Sequence, residues 1–86
     1  MQAIYLLKEY DDELAYGEEC IRAYRTREAA VAQLKEDFCQ AYHLGAFERP
    51  SFMDEQDSFS DDYIAITTFK GSTDYFIVQE ITILEK

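Results

Sequence analysis

Apolar and polar residues change period several times along this chain, and each change marks an element. Ala3 to Tyr10 (AIYLLKEY) is apolar, aromatic and β-branched at its start, which predicts a first strand. Asp11 to Gly17 holds three acids and a glycine and predicts a long hairpin loop. Glu18 to Arg25 (EECIRAYR) alternates, with Ile21 and Ala23 facing one way and Arg22 and Tyr24 the other, which predicts a second, half-buried strand. The period then lengthens. Val31, Leu34, Phe38, Ala41 and Tyr42 recur at helical spacing between Arg27 and about His43, forming one apolar stripe. Thr26 stands where an N-cap is needed and Glu28 complements the dipole in the first turn. At the other end, His43 falls in the last turn and Gly45 is the expected stop.

The remaining half of the chain reads as β-structure behind a long connection. Ala46 to Asp62 contains the one proline, Pro50, and six acids among seventeen residues, with no clear period. It predicts a long loop with room for one helical turn, pinned to the body by Phe47, Phe52, Met53 and Phe59. Tyr63 to Phe69 predicts a third strand and Lys70 to Thr73 a hairpin turn. Asp74 to Leu84 predicts a long fourth strand. It carries Phe76, Val78 and Leu84 on one face and Ile77, Ile81 and Ile83 on the other. Apolar residues on both faces suit an interior strand, or one whose outer face meets a partner. The order β-β-α-β-β predicts an α+β fold, a four-stranded antiparallel-rich sheet with one helix packed on one face. We expect a single domain over residues 1–86.

Charge changes the picture more than any motif does. Eighteen acidic side chains oppose eight basic ones among 86 residues, a formal net charge of −10. Such a field repels nucleic acid and anionic membrane and attracts basic protein surfaces. Acidic disordered chains are poor in aromatics, so seven Tyr and six Phe argue for a folded core. Cys20 and Cys39 lie far apart with no CxxC, a pattern that fits reduced thiols of a cytoplasmic protein, although two cysteines always permit one bridge. Ala3 to Leu7 is too short for a signal segment and leads straight into charged residues, and no apolar run approaches the ~20 residues that cross a bilayer.

Catalytic and ligand-binding motifs are weak. Cys39 and His43, at i and i+4, have the spacing of a thiolate couple, but no Gly-rich elbow or oxyanion-type loop accompanies them, and the residues imply no enzyme. Asp54, Glu55, Asp57, Asp61 and Asp62 are hard oxygen ligands, yet their spacing does not match a calcium loop and no glycine supplies its turn. One histidine and two cysteines do not make a zinc site, so neither a metal nor a cofactor is expected. Arg22, Arg25, Arg27 and Lys35 cluster near the helix start, where they suit internal pairing with acids such as Glu28 or Asp37 better than contact with DNA or RNA.

What remains is the grouping of acids beside aromatics. Asp11, Asp12 and Glu13 with Tyr16, and Asp54, Glu55, Asp57, Asp61 and Asp62 with Phe59, form two blocks on the predicted loops. Carboxylates steer encounter with a basic groove, and an aromatic supplies the anchor. These residues are therefore the expected partner-binding set. The other reading of the same blocks is an acidic, solubilising surface.

The opening IYLLKEYDDE, the T-R-E-A-A-x-x-x-L stretch from Thr26 to Leu34 and the closing FIVQEITILEK make the chain similar in kind to small acidic phage and mobile-element proteins of the anti-CRISPR type. The resemblance covers the whole chain loosely and assigns no residue a role. It implies a non-enzymatic inhibitor whose carboxylates stand in for nucleic-acid phosphates in the basic groove of a nuclease such as a CRISPR effector. Two further readings share the residues: an immunity protein that neutralises a basic toxin nuclease, and an assembly module that forms a homodimer through the long last strand or the helix.

Overall fold

The computed structural model describes residues 2–11, 20–67 and 71–84. Within them the chain runs β1 (Gln2–Asp11), β2 (Cys20–Tyr24), α1 (Arg27–Ala41), β3 (Ser58–Phe59), β4 (Tyr63–Thr67) and β5 (Thr73–Ile83). All five strands join one antiparallel sheet in the order β2-β1-β5-β4-β3. The fold is therefore α+β with one helix, and the sheet has five strands rather than the expected four. The fifth is β3, a two-residue strand inside the long connection, paired as Ser58 with Ala65 and Phe59 with Ile64. Two residues are too few to leave an alternating pattern in the sequence.

β1 and β5 are the spine, paired over ten positions from Gln2 with Ile83 to Asp11 with Asp74. β5 is interior, lying between β1 and β4. Both of its faces are accordingly apolar, as its sequence suggests. The helix covers one face only. Leu7, Leu34, Phe38, Ile64, Ile66 and Phe76 form the buried core between helix and sheet. Phe38 is its centre, with ring centroids 5.1 Å from Tyr42, 5.8 Å from Phe47, 5.7 Å from Phe59 and 5.4 Å from Phe76. Burying a side chain of this kind contributes roughly 1.5–3 kcal/mol. The connection between α1 and β4 is thus held on the helix side by Phe47, Met53 and Phe59.

The helix begins as its sequence predicts, with Thr26 Oγ1 accepting from the Ala29 amide at 3.2 Å. It ends two residues earlier than expected. Tyr42 is the C-cap, His43 takes a positive φ of 57°, and the amides of His43 and Leu44 return to the carbonyls of Gln40 and Cys39. His43 therefore fills the left-handed position that glycine usually holds in this closing motif, and Gly45 plays no part in it. Ala41, assigned to the buried stripe by spacing, is exposed, because the stripe ends at Phe38 and Tyr42. In the β4–β5 hairpin, Gly71 with φ +89° is the residue whose conformation requires glycine.

Candidate interaction surfaces

The expected partner-binding residues do not form one surface. Asp12, Glu13 and Tyr16 lie outside the described residues. Asp11 is half-buried at the end of β1, on the helix side, and accepts from Ser72 Oγ at 3.5 Å. Asp57 is only 8% exposed. Its Oδ2 accepts from the Asp54 amide at 2.9 Å and its Oδ1 from the Thr67 amide at 3.1 Å. Burial opposes ionisation there, but those two amides outweigh it and hold the carboxyl below its usual range. Arg49 Nη2 donates to the carbonyls of Asp54, at 2.6 Å, and Asp57, at 3.3 Å. Asp57 is thus the staple that closes the loop onto β4, not a contact residue.

Phe59 is likewise spent on folding, stacked 4.8 Å from Phe47 against the core. Asp61 and Asp62 meet Arg27 at 3.3 and 3.2 Å, tying the start of the helix to the turn before β4. The hydrogen bond to Asp62 is the main reason the guanidinium holds its proton more tightly than usual. Exposed pairs of this kind are worth little and stay accessible. Glu48, Asp54 and Glu55 are exposed on the connection, and Glu36 is exposed on the helix. Among the described residues no His, Cys, Asp and Glu side chains gather as a metal ion would require, and Cys39 is a free thiol.

A cluster the sequence hides lies where β1, β2 and α1 meet. Arg22 Nη2 donates to Glu9 Oε2 at 3.0 Å and to Asp37 Oδ2, while Gln33 donates to Asp37 Oδ1 at 2.8 Å. Glu9, Arg22 and Asp37 line a shallow recess with Gln40 and Ala41. Burial, and then the neighbouring Asp37, push Glu9 from its ordinary 4.5 up to about 8. Burial works in the same direction on Asp37, but hydrogen bonds from the protonated Glu9, Arg22 and Gln33 hold it below the carboxylate range. The pair therefore carries one proton at neutral pH, on Glu9. Arg22 and Asp37 stand in the expected internal pairing, whereas Arg27 pairs with Asp61 and Asp62 rather than Glu28. The tertiary partner Glu9 was legible only through register, since Glu9 faces Cys20 on β2 and shares its face with Arg22.

The third surface is the side of the sheet away from the helix. Strand alternation from the buried Leu7, Ile64, Ile66 and Phe76 turns Ile4, Leu6 and Tyr10 of β1, Ile21 and Ala23 of β2, Tyr63 and Ala65 of β4, and Tyr75, Ile77, Ile81 and Ile83 of β5 outward. Tyr10 and Tyr75 stack at 4.8 Å. Ile21 is 48% exposed, Tyr63 41% and Ile83 40%. Lys8 is the one charged residue among the described strand positions on this side. None of the carboxylates on the described strands lies there. Those on the strands, Glu9, Asp11, Asp74 and Glu80, occupy helix-side positions, and the rest are on the helix or the connections. Among the described strand and helix residues, the carboxylates thus lie on the helix side and apolar side chains dominate the other. Among the described residues no helix is long and apolar enough to cross a membrane. No family model matches the chain, and no curated protein or solved structure matches it either.

Proposed function

We propose that this protein is a non-enzymatic, acidic binding domain that occupies the cationic groove of a nucleic-acid-handling protein, a nuclease in the leading case, in the cytoplasm. The observation that carries this reading is that every described strand carboxylate occupies a helix-side position, with the acids of the helix on that same side. A one-sided field orients the molecule as it approaches a basic partner, which raises the encounter rate and sets register. Glu28, Glu36 and Glu80 are exposed on that side, Glu48, Asp54 and Glu55 are exposed on the connection, and Asp61 and Asp62 pair with Arg27. Phe52, exposed and tilted against Tyr42 at 5.4 Å, supplies an aromatic beside them.

The test is inhibition of DNA cleavage by a purified RNA-guided nuclease, and of a basic toxin nuclease in parallel. The parent protein should inhibit at low salt. A variant combining Glu48→Gln, Asp54→Asn, Glu55→Gln and Asp61→Asn should inhibit at least roughly tenfold less well, with a flatter salt dependence. Equal inhibition by parent and variant at low salt would remove the carboxylates from the explanation. Inhibition of the toxin nuclease alone would favour the immunity reading.

A further inference from the structure

We infer that the helix-free face of the sheet is a self-association surface, and that two copies of the chain pack face to face through it about a two-fold axis. Its residues Ile4, Leu6, Ile21, Ile77, Ile81 and Ile83 make a mostly apolar face across β2, β1 and β5, interrupted by Lys8 and by the uncharged Gln2 and Gln79. The sequence offered both faces of the last strand or the helix for such a contact, and the charge distribution selects this one. A chain of net charge −10 repels its own copy, but this face carries none of the described strand carboxylates. A second copy can approach here with the acidic sides pointing apart. Lys8 lies between Ile21 and Ile77 on this face, and association requires its ammonium to reach the rim while its methylenes cover apolar surface.

The dimensions agree. β1 and β5 are paired over ten positions, and with β2 and β4 beside them the face measures roughly 500 Å² in plan from strand rise and spacing. Side-chain relief raises this toward the ~800 Å² per partner of a standard interface. A two-fold pair requires a patch that complements itself, and an apolar, gently twisted sheet packs on a copy of itself in the aligned sandwich manner.

Sedimentation equilibrium on the full chain across a wide concentration range tests this. The expected species at high concentration has twice the 10.1 kDa mass of the chain. Ile81→Glu, which puts a carboxylate on the face, should weaken the dimer by roughly a hundredfold or more. Ile21→Lys lies on a half-exposed position that folding does not depend on, and should weaken it as well. Glu36→Lys, on the opposite side, should leave association as strong or stronger. A parent that stays monomeric at every concentration overturns the inference. So does a dimer that survives Ile21→Lys unchanged or dissociates with Glu36→Lys. Nuclease inhibition by a strictly monomeric parent would leave the acidic-side reading standing while this one fell.

Discussion

At the level of single residues, Glu9 is the group whose environment departs furthest from that of an exposed side chain. With Glu9 protonated, the cluster holds one negative charge, on Asp37, against the positive Arg22. Ionising Glu9 adds a second carboxylate to a partly buried site already neutral overall. Because its folded-state value is raised from 4.5 to about 8, the native state binds the extra proton throughout that window and the unfolded state does not. Stability therefore falls as pH rises from about 4.5 to about 8. Asp37 works in the other sense, its contribution being lost as pH drops below the carboxylate range. Glu9→Gln keeps a neutral, hydrogen-bonding side chain beside Arg22 and Asp37. Urea denaturation of this variant should show a shallower decline across the window and a more stable protein at its upper end. Parallel stability curves for parent and variant would show that Glu9 titrates normally.

Among the elements, the helix was the most legible in the sequence and its end the least. Thr26 and Glu28 announce the start because capping and dipole effects act through a few local residues. The end was assigned to Gly45 because glycine is the usual left-handed residue, yet the chain turns at His43. Tyr42 forces the earlier stop: its ring packs at Phe38 and its hydroxyl donates to Asp74 Oδ2 at 2.7 Å, fixing the C-cap against β5. A tertiary hydrogen bond of this kind has no signature in local spacing. His43 bears the steric cost of a Cβ at φ 57°, so His43→Gly should stabilise the protein by about 1 kcal/mol. The measurement is the urea midpoint at constant m-value, and an unchanged or lowered midpoint would contradict the assignment. β2 shows a related limit. Its alternation was clear, but the apolar Ile21 and Ala23 point outward while Arg22 and Tyr24 face the helix, an inversion imposed by Glu9 and Asp37. The loop acids were visible as a block, but which of them the fold consumes was not, because Asp57 is satisfied by amides three and ten residues away.

For the whole molecule, the two sides of the sheet respond to salt in opposite directions, and this separates the two proposed contacts. Binding through the acidic side is an attraction between unlike charges and weakens as ions screen it. Self-association through the apolar side gains from burial and is opposed by the mutual repulsion of two chains of net charge −10. The described strand and helix carboxylates are carried across the sheet, about 10 Å from the contact plane by the thickness of one packed layer. That distance is close to the Debye length of ~10 Å at 0.1 M ionic strength and well beyond the ~3 Å reached at 1 M. Raising salt across that range should therefore tighten the dimer by a few-fold while it abolishes most of the binding to a basic partner. Sedimentation and nuclease inhibition followed in the same salt series read both quantities. If self-association weakened in step with inhibition, the dimer contact would have to be ionic, and the apolar face could not be its seat.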